Sequence, residues 1–115
     1  MRARHWLVMA IFLGGCATAG PSGETMEATA ASIRAAEELG APRVPQASLH
    51  LQLAKEQSEH AKQLVAKGEG EEAGSLMLRA DADAELAVAL ARNAVANAKA
   101  QHAMDKVSTM RTDAP

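Results

Sequence analysis

The sequence predicts an all-α protein, either an antiparallel helical hairpin or a small three-helix bundle, with one long C-terminal helix. Three observations predict this fold class. Roughly a quarter of the residues are alanine, the residue with the highest helix propensity. After Gly23, the helix-ending residues glycine and proline are confined to residues 40–45, residues 68–74 and Pro115. Between those breaks, apolar and small residues recur at spacings of three and four, the period of one helix face.

The composition bears on which classes of function the chain can support. It has 12 basic and 14 acidic residues, a net charge of −2, so it lacks the basic footprint of a nucleic-acid-binding protein. Trp6 and Phe12 are its only aromatic residues. Because cofactor and substrate pockets are usually lined by aromatic and large apolar side chains, we expect no cofactor and no small-molecule substrate.

The first 15 residues have the pattern of an export signal. Arg2 and Arg4 precede residues 6–13, an apolar run of about eight residues. A membrane-spanning helix needs about 20 apolar residues, so this run is too short for a permanent anchor. We therefore expect residues 1–15 to be a signal peptide and residues 16–23 to be a flexible tether.

The only cysteine, Cys16, closes the motif Leu13-Gly14-Gly15-Cys16. This motif resembles the bacterial lipobox, in which small residues precede a cysteine that accepts a diacylglyceryl group before cleavage. The alternatives are a plain secretory signal or a small buried thiol. An odd cysteine in an exported chain calls for its own explanation, and lipidation of Cys16 supplies one.

Lipidation would also determine where the protein resides. Cleavage before Cys16 would remove Arg2 and Arg4 and leave 10 basic and 14 acidic residues, a net charge of −4. Such a surface has no basic patch to hold it on anionic lipid, so the lipid on Cys16 would be its membrane contact. Ala17 stands where an aspartate is typical of inner-membrane retention. We therefore expect a lipid-anchored protein of a Gram-negative outer membrane, facing the periplasm.

The first two helices are predicted from their breaks. Residues 24–39 form the first helix, with Ser22 as its N-cap and Gly40 followed by Pro42 as its stop. The second helix begins at Pro45, in the first turn where a missing N–H costs nothing, and runs to about Lys67. Residues 68–70 then turn the chain.

The third helix is predicted from about Glu71 to about Val107, which gives a helical domain over residues 24–108 and a disordered tail over residues 109–115. A heptad seam of mostly alanine marks its packed face. Such a seam buries little area but lets a neighbouring helix approach closely. Its members are Met77, Ala80, Ala84, Ala87, Ala91, Ala94 and Ala98.

No pattern indicates catalysis or metal binding. The acidic stretch at residues 81–85 lacks the glycine and the non-helical backbone of a calcium loop, so we interpret it as a solvated helix face. His50, His60 and His102 lack a second ligand at helical spacing and are expected on the surface or at its rim. There is no nucleophile motif and no phosphate loop. We expect a protein that is not an enzyme and holds no metal.

Three stretches between about residues 31 and 98 carry a resemblance: AAEELGAPRVP, LQLAKEQSEHAKQLVAKGEGEEA and ADADAELAVALAR. They are similar to a family of alanine-rich bacterial envelope lipoproteins described only as a domain of unknown function. The resemblance implies a helical hairpin in the cell envelope and conveys no established activity. Some members carry an OmpA-like peptidoglycan-binding domain after the hairpin. We expect none within these 115 residues, which puts direct contact with the cell wall in doubt.

The unequal helix lengths predict an interaction surface. The second helix would span about 34 Å and the third about 55 Å, so the end of the third helix would project beyond its partner. Val95, Ala98, Met104 and Val107 continue a sparse apolar pattern there. We expect this end to bind another envelope protein or a second copy, and the alternative is a frayed tail. The expected function is therefore a binding or scaffolding module in the envelope, and the alternative is a structural spacer without a dedicated partner.

Overall fold

Three α-helices and one short 3-10 turn make up residues 20–115, the part of the chain that the computed structural model describes. The helices are α1 (Gly23–Glu38), α2 (Pro45–Ala66) and α3 (Gly70–Thr112), and the turn at Ala41–Arg43 joins α1 to α2. No strand occurs within these residues. The predicted all-α fold with one long C-terminal helix is confirmed.

Local capping determines where α1 begins and ends. The Ser22 hydroxyl oxygen accepts a hydrogen bond from the Thr25 backbone N–H at 3.1 Å, which satisfies one of the free donors of the first turn. At the other end, the Gly40 N–H donates to the Glu37 carbonyl at 3.0 Å. Gly40 has a φ of +85°, a left-handed conformation that favours glycine and ends the helix.

Proline begins α2 and glycine ends it. Pro45 occupies the first turn, as predicted. After the helix, Gly68 has a φ of +80° and its N–H donates to the Val65 carbonyl at 3.0 Å, while the Glu69 N–H donates to the Leu64 carbonyl at 2.9 Å. These two bonds form a Schellman motif. The short connection that follows turns the chain back, so α3 runs antiparallel to α2.

The third helix is longer than the sequence predicts. It continues from Gly70 to Thr112, 43 residues or about 64 Å, instead of ending near Val107, and so enters the predicted tail. No glycine or proline follows Gly74 until Pro115. In addition, the Thr109 and Thr112 hydroxyls each donate to the carbonyl four residues earlier, at 3.0 and 3.1 Å. These bonds accompany the continuation of the helix.

The core consists of small side chains from α2 and α3. The predicted alanine seam of α3 is fully buried up to Ala91. Ala94 is only half-buried and Ala98 is exposed, so the predicted seam extends too far. The reason is the length of α2, because Ala47 in its first turn already packs beside Ala91. The buried seam residues of α3 are Ala73, Met77, Ala80, Ala84, Ala87 and Ala91.

The first helix packs mainly on α3 and runs in the same direction. Near its start, Met26 contacts the cluster that contains Met77. Towards its end, Ile33 and Ala36 belong to the cluster that contains Ala87. The α1 helix therefore completes a three-helix bundle along the first half of α3 and extends no further.

The chain enters this bundle beside the α2–α3 turn. A Cβ atom on Gly20 would lie 3.5 Å from the Gly70 Cα and 3.8 Å from the Val65 Cγ2. Gly20 therefore lies against the first residue of α3. The free end of α3 is at the opposite end of the molecule from this entry point.

Candidate functional site

The last part of α3 extends beyond the other two helices. Every residue from 95 to 115 is exposed, whereas Ala91 is fully buried. The helical portion of this segment, residues 95–112, is about 27 Å long at 1.5 Å per residue. We call residues 95–112 the overhang. Nothing within residues 20–115 covers it.

The four predicted interaction residues all lie on the overhang, but they do not form one stripe. Val95, Met104 and Val107 are large exposed apolar residues, and Ala98 is also exposed. However, Ala98 and Val107 are nine residues apart, about two and a half helical turns, and so lie on opposite sides of α3. A single partner helix therefore cannot contact all four.

A different set of residues does share one side of the overhang. Each lies at a spacing of four or three from the previous one, and Met104 lies beside them. All but the last of these residues lie nine residues, or two and a half helical turns, after a member of the predicted seam. This side of α3 therefore faces away from the buried alanine seam. We call this set the distal face: Ala96, Ala100, Ala103, Val107 and Met110.

Basic residues border the distal face. Lys99 and Lys106, seven residues apart, lie along one border, and Arg111 follows Met104 by one heptad on the other. Asp105 points to the opposite side of the helix by the same geometry. From Ala94 onwards three basic and two acidic side chains give a net charge of +1, whereas residues 20–93 have seven basic and twelve acidic side chains, a net of −5. The overhang is thus the positive end of an acidic domain.

The acidic stretch within the bundle holds the helices together. Asp83 Oδ1 lies 2.8 Å from His50 Nδ1, and Asp83 Oδ2 accepts from Gln57 Nε2 at 2.9 Å. Asp81 Oδ1 accepts from the Thr29 hydroxyl at 3.3 Å. Asp81 thus contacts α1 while Asp83 contacts α2. The prediction of a fully solvated face was therefore wrong for both aspartates, which are only partly exposed.

One buried hydrogen-bond acceptor in this contact has no donor among the described residues. This acceptor is the Gln57 Oε1 atom. Because Asp83 already accepts from His50 and Gln57, its carboxylate is used within the protein. The cluster therefore contributes to the packing of α2 on α3.

The remaining predicted sites fall into two groups. Cys16 and the predicted signal peptide lie outside the described residues. His60 and His102 are exposed on the surface. Residues 20–115 contain no group of three or more metal-ligating side chains. No helix in this part of the chain is both long and apolar enough to cross a membrane.

Comparison with known proteins gives no match. No family model matches the sequence, and neither the curated proteins nor the solved structures include a significant match.

Proposed function

We propose that this protein is a lipid-anchored helical module that binds another envelope protein through the overhang of α3. The observation that carries the proposal is the exposure of residues 95–112 on a continuous helix. Most helical stability in proteins comes from burial of an apolar face, and an isolated helix of this length is marginal in water. The distal face has the apolar side chains that a partner would bury. The proposed role is binding or scaffolding, without a catalytic step.

The position of the proposed anchor relative to the bundle indicates how the overhang is oriented to the membrane. The lipobox-like motif supports Cys16 as the anchor, and Ala17 supports the outer membrane of a Gram-negative cell, with the domain in the periplasm. Residues 16–19 span at most about 14 Å, so an anchor at Cys16 would hold Gly20 and the adjacent α2–α3 turn near the lipid. The overhang would then begin about 38 Å further along α3 and point away from the membrane.

Removal of the overhang tests this proposal. A chain truncated after Ala94 is compared with a chain truncated after Thr112, which retains the whole helix. Both chains are expressed in a Gram-negative bacterium. Partners are then recovered by crosslinking and affinity purification from detergent-solubilised envelope. We expect a stoichiometric partner with the Thr112 truncation and its loss with the Ala94 truncation. The same recovered proteins from both chains would refute a docking role for the overhang.

A spacer without a dedicated partner is the second candidate, and the uninterrupted length of α3 favours it. A chain with Val107→Gln and Met110→Gln separates the two roles, because it keeps the helix length and removes the large apolar side chains. Loss of the partner in this variant supports docking. Absence of a stoichiometric partner from both the unmodified chain and this variant supports the spacer.

A further inference from the structure

We infer that the distal face binds an acidic amphipathic α-helix of another envelope protein. This inference rests on the proposed function and specifies the chemistry of the partner. It follows from the shape of the distal face and from the charges along its borders. It also follows from the poor fit of three other candidates: a second copy of the chain, the tether and a lipid surface.

The shape of the distal face suits a helix. Its residues recur at alternating spacings of four and three, the pattern that keeps a seam facing a partner helix along a left-handed crossing. Ala96, Ala100 and Ala103 are small and allow close approach of a second backbone. Val107 and Met110, exposed by 44% and 57%, supply larger side chains at the far end. The side chains of the face therefore increase in size from Ala96 to Met110, over about four helical turns.

The charges on its borders indicate an acidic partner. In paired helices, the residues that border the seam meet the charged residues of the partner and decide which partners bind. Lys99 and Lys106 form one border and Arg111 lies on the other, so the charged residues of α3 beside the face are all positive. Asp113, the C-cap residue that follows Lys106 by one heptad, is the one acid next to this end of the face. Arg111 also lies in the last turn of α3, where a cation is favourable for the helix itself.

A second copy of this chain fits the face poorly. Pairing two distal faces would place Lys99, Lys106 and Arg111 of one copy along the same basic borders of the other. Like charges beside a seam oppose association. The tether is also excluded, because residues 16–19 reach about 14 Å from Gly20 while Ala96 lies about 39 Å along α3 from Gly70.

A lipid surface fits less well than a helix. Helices that lie on membranes typically present Trp, Phe or Leu on the apolar side. Half of the apolar side here is alanine, and Met104, Val107 and Met110 are the larger residues. The apolar area available to insert is therefore small, whereas close helix packing makes use of alanine.

The test uses the full chain in micelles of an uncharged detergent. The probe is a fluorescein-labelled synthetic helix of three heptads, with alanine and leucine in the seam and glutamate along both borders. A matched probe has lysine in place of glutamate. Fluorescence anisotropy measures each affinity at low and at high salt. We expect the acidic probe to bind about tenfold or more tightly than the basic probe, and the difference to shrink with salt.

Charge reversal checks that binding occurs at the distal face. A chain with Lys99→Glu, Lys106→Glu and Arg111→Glu should prefer the basic probe. The control chain carries Arg34→Glu, Lys62→Glu and Lys67→Glu, which make the same change in net charge at exposed positions of the bundle. It should keep the preference of the unmodified chain. Circular dichroism of each chain verifies that the helices remain.

Several outcomes overturn the inference. They are equal binding of the two probes, loss of preference in the control chain, or dimers of the unmodified chain in sedimentation. Slower amide exchange over residues 95–112 on anionic than on neutral vesicles would assign the face to lipid instead. If the Ala94 truncation loses its envelope partner but the acidic probe does not bind, the partner chemistry is wrong and the docking function stands. If truncation loses no partner, the docking function itself fails.

Discussion

Asp83 of α3 and His50 of α2 form a direct contact, with 2.8 Å between Oδ1 and Nδ1. This contact is a hydrogen bond when the His50 ring carries its hydrogen on Nδ1, because a carboxylate oxygen accepts. The second oxygen of Asp83 accepts from Gln57, two helical turns further along α2. The Asp83 side chain is 19% exposed and that of His50 is 27% exposed. One carboxylate therefore ties α3 to two turns of α2 in a bundle whose apolar core is thin.

Loss of this carboxylate should destabilise the bundle. Asp83→Ala leaves the donors of His50 and Gln57 without their acceptor in a half-buried contact. Removing one partner of such a bond typically costs about 1–3 kcal/mol. For a domain of this size, each kcal/mol lowers Tm by about 4–8 °C, which thermal circular dichroism measures.

Glu85→Ala is the control, because Glu85 is an exposed acid two residues along the same helix. It should change Tm by no more than about 4 °C, the usual range for a surface substitution. An equal fall in Tm for the two variants would mean that the effect of Asp83→Ala comes from charge or helix propensity and not from the contact with α2.

The alanine seam should be intolerant of size. Ala87 is fully buried between α3 and its neighbours. A leucine there must push the helices apart, and such overpacking typically costs about 1–3 kcal/mol. Ala87→Leu should therefore lower Tm in the same thermal melt. Ala82→Leu, at an exposed position on the same helix, is the matched control and should leave Tm nearly unchanged. Equal stability of the two variants would contradict close packing at Ala87.

Helix boundaries and the packed seam could be read from the sequence because local chemistry determines them. Gly40 and Gly68 adopt left-handed φ angles and Pro45 occupies a first turn, as their residue types indicate. The alternating spacing of alanine placed Ala84 and Ala87 correctly in the core. The predicted lengths of α2 and α3 already left the end of α3 uncovered, but the alternating spacing by itself continues to Ala94 and Ala98, and so the seam was predicted past Ala91.

The polar contacts needed more than a residue pattern, whereas for the distal face the structure adds the exposure of its residues. Asp83 lies three residues after Ala80 and four before Ala87, so a helical wheel places it at the border of the seam. That spacing does not say that His50 and Gln57 would flank it. In the overhang, Val95, Ala98, Met104 and Val107 share a region of the chain but not a side of the helix. A comparison of angles about the helix axis separates Ala98 from Val107 and identifies the distal face.

Lipidation of Cys16 is a prediction about residues outside the described part of the chain. The intact mass of protein purified from the envelope should exceed that of the polypeptide 16–115 by the mass of its acyl groups. Cys16→Ser should give an unprocessed precursor, because the acyl acceptor is gone. Ala17→Asp keeps the acceptor and should retain the lipid while shifting the protein to the inner membrane. An unmodified thiol in the purified envelope protein would refute the anchor.

The bundle and the overhang should respond differently to the same substitution. Glycine in a helix interior costs about 1 kcal/mol relative to alanine. Ala84 is fully buried in the bundle, so Ala84→Gly should lower Tm by at least about 4–8 °C. Ala100 is exposed and nothing within the described residues covers it, so Ala100→Gly should promote fraying of the overhang without destabilising the bundle. The expected signature is reduced ellipticity at 222 nm and faster amide exchange over residues 95–112, with Tm unchanged. A fall in Tm for Ala100→Gly as large as that for Ala84→Gly would mean that the overhang packs on something in the isolated protein, and its distal face would then not be free to bind a partner.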